Sequence, residues 1–405
     1  MGSPPIETLV STSQSTIVVA GHVCLDLIPP LADGASQIEP GQLYLTGPVH
    51  CATGGVVSNT GLALHKLGTS VKLVGKVGDD LFGRAVLDIF SQNGAGLADH
   101  MLVAQGANTS YSIVISPPNV DRSFLHCPGA NDDFHAAEID TTAWDDVGLL
   151  HFGYPPLMRA IHADEGRGLA EFLGGMQQRG IVTSLDMSMP DPSSTAGRID
   201  WHAWLARVLP FVDLFLPSLD EIAFMLRQVN VAPPNLSGDT SNDGVEQVLD
   251  PATLRALAEC LLGLGTRVVV LKLGEQGLYL RSGERGLRGR PEPQPLWRCR
   301  ELLAPCFQVD VAGTTGAGDC TIAGFLSAFQ NGAGPEEALA RAVAVGACCV
   351  EAPDALSGVR TLEETEQRLA SDWPRRTESA PAPDWAPAES GAWVGPRDAT
   401  RHFRH

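Results

Sequence analysis

Two kinds of apolar pattern alternate along the chain. Short runs, nearly continuous in Val, Ile and Leu, occur at Thr16–Ala20, Val71–Val74, Gly148–Phe152, Ile181–Leu185, Val212–Leu216, Arg267–Leu271 and Gly277–Leu280. Continuous rather than alternating apolar character marks strands covered on both faces. Between them, apolar residues recur at helical spacing in Val56–Leu67 (closed by Gly68), Phe82–Gln92, Glu165–Gln178, Leu219–Gln228 and Pro251–Leu264. Strands that alternate with helices predict an α/β protein: a three-layer α/β/α domain around a mainly parallel central sheet.

Two stretches break this rhythm. Leu27–Cys51 mixes Gly and Pro with β-forming residues. Asn108–Asn131 reads as a hairpin, with Ser112–Ser116 and Ser123–Cys127 on either side of Pro117–Arg122. A small second sheet and ordinary loops fit these stretches equally well. Residues 1–15 are polar and expected to be flexible. Val231–Asp250 is acidic and rich in Pro and Gly, and reads as an insertion loop. Ser371–His405 has no periodic apolar face and is expected to be disordered. Its Trp373, Trp385 and Trp393 leave docking onto the body open.

With 405 residues, 44% hydrophobic and 19% charged, the chain has material for a large core. Its formal net charge of −19 repels nucleic acid and argues against such a partner. The same charge opposes a polyphosphate, so a nucleotide site needs local compensation from a metal ion and backbone amides. The nine cysteines form no CxxC pair or zinc-spaced cluster, and read as reduced thiols of a cytoplasmic protein. No apolar run approaches the ~20 residues of a membrane helix.

The sharpest chemical signal is Gly313-Thr314-Thr315-Gly316-Ala317-Gly318-Asp319. It follows the strand-like run Phe307–Val311 and opens a helix striped with Ile322, Phe325, Leu326 and Phe329. Small residues let backbone wrap a ligand, and amides at a helix N-terminus attract anions. A carboxylate beside those amides can take a proton from an attacking hydroxyl. Taken alone, a Gly-rich turn with Asp as a helix cap explains the motif better.

The motif resembles the second signature of the ribokinase-like (PfkB) carbohydrate kinases, usually written DTTGAGD. Other segments agree in order. Gly54-Gly55 with Asn59, Ala63, Leu67 and Gly68 resembles the first signature, and Val74–Gly83 the turn after it. Gly21–Asp26 matches the end of the family's first strand, Leu271–Gly277 its nucleotide-side strand and turn, and Pro335–Val350 the helix after the catalytic one. The resemblance spans roughly residues 16–370, with lid segments at about 27–51 and 108–131. It implies an ATP- and Mg2+-dependent kinase acting on a hydroxyl of a sugar or sugar-like molecule. Asp319 is then the base, and the amides of Thr315, Gly316, Ala317 and Gly318 form the anion hole. Asp26, Gly54, Gly55 and Asn59 hold the substrate, joined by Arg122 and Asn131 from the lid. Lys272, Gly274 and Gly277 contact the nucleotide. A homodimer through the lid is compatible with the pattern. A nucleoside substrate, or a non-catalytic sugar-binding role on the same fold, stays open.

Two departures from the family pattern matter. Its Asn-x-x-Glu, tied to Mg2+ through water, is here Ser218-Leu219-Asp220-Glu221, and Glu221 also reads as an ordinary first-turn helix acid. Gly313 stands where an Asp often helps bind a monovalent cation, which puts cation activation in doubt. Arg122 reads equally as a substrate contact or a solvated hairpin charge.

Overall fold

Six strands run parallel in the spatial order Val71–Val74, Thr16–Gly21, Val147–Gly153, Val182–Leu185, Leu214–Phe215 and Val268–Lys272 in the computed structural model. It describes residues 15–30, 40–115, 123–227, 250–287, 295–377 and 379–400. The first strand shows why continuous apolar runs form such a sheet. Ile17 and Val19 enter a core built with the helices Val56–Lys66 and Ala317–Gln330, while Val18 and Ala20 enter a second core beneath Arg167–Gln178, Trp201–Val208 and Pro251–Gly263. Each side chain has its own core because successive residues point to opposite faces. Beyond Val268–Lys272 the sheet turns antiparallel, through Leu278–Ser282 and Glu301–Ala304.

The stretches that broke the rhythm form a separate four-stranded sheet, in the order His50–Gly54, Cys24–Ile28, Tyr111–Ile115 and Ser123–Cys127. For Asn108–Asn131 the second sheet is the reading realised; Leu27–Cys51 joins that sheet only through Leu27–Ile28 and His50–Cys51. Arg122 and all but Asp250 of the 231–250 insertion lie outside the described residues. Asp250 caps the helix that follows, accepting from the Ala252 amide at 3.1 Å.

Two expectations are corrected. Phe307–Val311 is not a strand; its pairing is a single bridge from Phe307 to Arg375. The strand lies earlier, at Glu301–Ala304, and Pro305, with no N–H to donate, ends it. The second correction concerns the segment after Ser371, which is packed rather than loose where it is described. Trp393–Val394 pairs with Leu302–Leu303, and Ala386–Pro387 pairs in turn with Trp393–Val394. Trp385 and Val394 are buried. Buried Asp398 accepts from Arg300 Nε and from the Glu301 amide, both at 2.9 Å. These anchors are single residues on a sheet edge, which is why no apolar period announced them. Among the described residues, no helix is long and apolar enough to cross a membrane.

Candidate active site

Asp319 sits in the first turn of Ala317–Gln330, 3% exposed. Gly316 starts that helix in the left-handed region, at φ 70°, where glycine bends without a side-chain penalty. The turn brings Thr315, Gly316, Ala317 and Gly318 around the helix end, where the first amides have no intrahelical partner. Thr315 Oγ1 is buried with no hydrogen-bond partner, as a hydroxyl kept for a ligand would be.

Two side chains from distant elements hydrogen-bond the carboxylate, and a third acts on it by charge. Asn59, one turn into Val56–Lys66, donates from Nδ2 to Asp319 Oδ2 at 2.8 Å. Tyr154 directs its hydroxyl at both Asp319 oxygens, 2.9 Å from each. Lys272 lies close enough to act on Asp319 by charge, and its Nζ is bonded to Asp186 Oδ1 at 2.7 Å. Burial pushes the Asp319 carboxyl up; the Asn59 hydrogen bond, the Lys272 charge and Tyr154 pull the other way. Burial also raises Asp186, with Glu221 and Asp319 adding repulsion against the pull of Lys272. Burial alone would lower Lys272, but these three carboxylates outweigh it and keep the amine charged.

The lid-side residues form a second group. A Cβ on Gly54 would overlap the Asp26 carboxylate, and one on Gly55 would lie 2.6 Å from both His22 Nδ1 and the His22 carbonyl. The two glycines are what let Asp26 and His22 pack against the entry to the helix carrying Asn59. Burial raises the Asp26 carboxyl, while Cys24 and Ser112 donate to it. Asn131 is fully buried; its amide donates to the Val23 carbonyl at 2.8 Å and accepts from the Val23 amide at 3.4 Å. It thus holds the connection between His22 and Asp26. Asn59 Oδ1 and both His22 ring nitrogens are buried without partners.

A cleft of about 420 Å³ opens on the other side of the Gly316–Gly318 turn. Lys272, Thr314, Ala317 and Gly318 line one part, and Gly274 and Gly277 another. Leu278, Phe307, Val309, Val343, Ala347 and Val350 give it an apolar wall. A Cβ on Gly318 would lie 3.8 Å from Lys272 Nζ, so the lysine borders the helix terminus.

Ser218 and Glu221 cap their own helix. Ser218 N donates to Glu221 Oε2 at 2.7 Å, and Glu221 N to Ser218 Oγ at 3.3 Å. This is the capping role left open above. Among the described residues no group of three or more His, Cys, Asp or Glu side chains is arranged to hold a metal ion.

Sequence reasoning did not single out Tyr154, Asp186 or His22. Tyr154 has the left-handed φ of 63° at the end of a strand, followed by Pro155. The segment Gly153-Tyr154-Pro155-Pro156 marked a sharp turn, but not where the ring would reach. Asp186 carried a clearer signal: a carboxylate closing the apolar run Ile181–Leu185, where ligands gather at strand ends.

A buried carboxylate in the first turn of a helix, between a lid and an apolar cleft, is an arrangement suited to phosphoryl transfer onto a small molecule. The family description "pfkB family carbohydrate kinase" matches residues 14–362. The chain is 26% identical over 371 residues to a rice protein named Fructokinase-2, covering 87% of this chain and 94% of that one. It is 24% identical over 344 residues to a Bacillus subtilis 2-dehydro-3-deoxygluconokinase, covering 82% and 91%. Among solved structures, a fructokinase from Xylella fastidiosa with bound ATP superposes with a TM-score of 0.65 at 19% identity, over 87% of this chain and 98% of that one. The chain belongs to the pfkB family of carbohydrate kinases. It is a phosphotransferase that takes an alcohol group as acceptor.

Proposed function

We propose that the protein transfers the γ-phosphoryl group of ATP to a hydroxyl of an uncharged sugar, with Asp319 as the base. The observation that carries this reading is the position of Asp319. It is buried at the helix terminus between Asn59 and Tyr154, with the cleft on one side and the lid group on the other. A substrate hydroxyl beside Asp319 loses its proton to the carboxylate as its oxygen attacks phosphorus. The two donors on Asp319 orient it and favour its charged form. The amides of Thr315–Gly318 and the Lys272 amine face the charge that develops on the transferred group.

ATP fits the cleft by chemistry as well as size. The apolar wall suits a base, and the unpartnered Thr315 Oγ1 and the helix terminus suit phosphates. Mg2+ would enter on the phosphates and neutralise their charge, and Glu221 and Asp186, the carboxylates whose charge reaches Lys272, would hold its waters.

The lid group supports an uncharged sugar. Asp26 accepts from Cys24 and Ser112, Ser112 is bonded to His126 at 3.0 Å, and the His126 ring lies 5.3 Å from that of His22. Burial and the neighbouring His126 push His22 down to about 3, and burial also lowers His126, so both imidazoles are neutral at physiological pH. Neutral rings, an amide and a carboxylate match hydroxyls rather than a second anionic group. The lid exposes Leu43, Leu45, Phe124 and Leu125, which supports a second copy of the chain as its cover. The test of function is coupled ADP release across neutral sugars, sugar acids and nucleosides. Turnover confined to acids or nucleosides would overturn the substrate class, and no turnover with any would overturn the kinase reading.

A further inference from the structure

The region matched by the family ends at residue 362, yet the cleft has a wall made by residues after it. Trp373 stacks on Phe307, ring centroids 4.0 Å apart, and its Nε1 donates to the Gln308 carbonyl at 3.1 Å. The guanidinium of Arg368 lies 3.6 Å from the Trp373 ring. Backbone bonds join the segments: Gln308 N to Pro374 O at 2.8 Å, and Arg376 N to Cys306 O at 2.9 Å. Arg375 is committed to this wall, over the Phe307 ring at 3.8 Å and donating to the carbonyls of Pro305 and Ser390.

Arg376 is placed differently. Its guanidinium lines the cleft, 38% exposed, and meets Glu275 Oε2 at 2.8 Å. Glu275 lies in the Gly274–Gln276 turn, just after Lys272. Cys306 Sγ donates to the Gly274 carbonyl at 3.5 Å, so the same wall fixes that turn. Lys272 and Arg376 are the two cationic side chains among the described residues lining the cleft. Lys272 is held by Asp186 at the helix terminus. The Arg376–Glu275 pair is open to solvent on both sides, and such pairs are weak enough to be redirected. A guanidinium presents its donors in a planar fork that matches the oxygens of a phosphate.

We propose that Arg376, carried by this C-terminal segment, binds the phosphate chain of the nucleotide from the side opposite Lys272. The proposal rests on the cleft being the nucleotide site. In a chain of net charge −19, it adds a second cation to Lys272, the one that the family-matched region brings to the cleft.

The test is calorimetry of ATP, ADP and adenosine binding to the full chain and to Arg376→Ala and Arg376→Gln, the second nearly preserving side-chain length. Both variants should bind ATP and ADP about tenfold or more weakly, the weight of one charge-assisted hydrogen bond. Adenosine affinity and melting temperature should not change. Equal losses for adenosine and ADP would make Arg376 part of the base wall, and unchanged ADP affinity would leave it a structural residue of the cleft rim. Either result overturns the proposal. Failure of the kinase reading would look different: the unmodified chain would show no sugar turnover, whatever the variants bind.

Discussion

Tyr154 reaches Asp319 across 165 positions of sequence and sets its hydroxyl equidistant, at 2.9 Å, from both carboxylate oxygens. It does so from a left-handed backbone conformation that a bulky residue rarely adopts, at φ 63°. Strain of this kind persists where surrounding structure fixes it, and here it places a donor on the candidate base.

This contact has a pH signature. Asp319 acts as a base only when ionised, so activity falls as pH drops through its folded pKa. Burial places that pKa above the ordinary carboxylate value of about 4. The tyrosine hydroxyl favours the charged form, so removing it raises the pKa further. Tyr154→Phe should shift the acid limb of kcat/KM to higher pH, with rate largely recovered at alkaline pH. A limb that stays in place, or moves to lower pH, would show that Tyr154 does not tune the base.

Asp319→Asn should lower kcat by on the order of 10²–10⁴, the usual contribution of a general base, while nucleotide affinity stays within a few-fold. Stopped turnover together with lost nucleotide binding would point to a collapsed turn instead.

Asp26→Ala should raise KM for the sugar strongly and lower kcat as well, because the substrate must be held in line for attack. Nucleotide binding alone should be unaffected. Calorimetry with and without sugar checks this, and unchanged sugar affinity would move the pocket elsewhere.

Potassium should activate weakly or not at all relative to a large organic cation at equal ionic strength. Gly313 supplies no carboxylate to offset a bound cation's charge. Restoring one is blocked by packing: a Cβ at Gly313 would lie 2.8 Å from the Pro353 carbonyl oxygen and 3.0 Å from that of Ala352. Gly313→Asp should therefore lower the melting temperature without creating potassium dependence. Initial rates against KCl decide the first point and thermal melts the second.

Asp398→Ala should destabilise the fold by about 3–5 kcal/mol, the cost of leaving a buried charge without its partner. Arg300 is 2% exposed and relies on Asp398 and Glu336. Ending the chain at Thr377 should cost at least as much, since Trp385 and Val394 are lost too. A melting curve that does not move in either variant would mean the C-terminal strands add nothing to stability.

The parallel half of the sheet was legible because its strands are buried on both faces, and continuous apolar runs such as Ile17–Ala20 suit few other places in a fold. The turn at Gly316–Gly318 was legible because small residues opening a helix mark one; the role proposed for Asp319 came from the resemblance of the whole motif to a family signature, since the spacing alone reads as a capped turn. Tyr154 and His22 were not, because what matters is where a ring ends up after a turn, which neighbours in sequence do not reveal. The C-terminal strands were hidden for a related reason. Ala386–Pro387 and Trp393–Val394 are two residues each, too short for any period, and they form because Glu301–Ala304 offers an edge. The same shortness hid Arg376, whose charge is ordinary until Phe307 and Trp373 fix the wall that carries it.

The pairing of Arg300 with Asp398 also sets an order on how the chain is made. Synthesis runs from the N-terminus, and domains tend to form as their residues emerge. Arg300 emerges 98 residues before the carboxylate that accepts its Nε. Until then its guanidinium has the Leu296 carbonyl and Glu336 but nothing for Nε, and the Glu301 amide lacks the acceptor it finds in Asp398. The antiparallel edge therefore cannot be completed until Asp398 has emerged, after every residue of the helix that carries Asp319. A ribosome that stops short of Asp398 releases a chain with every candidate catalytic residue in place and one flank of its sheet still open.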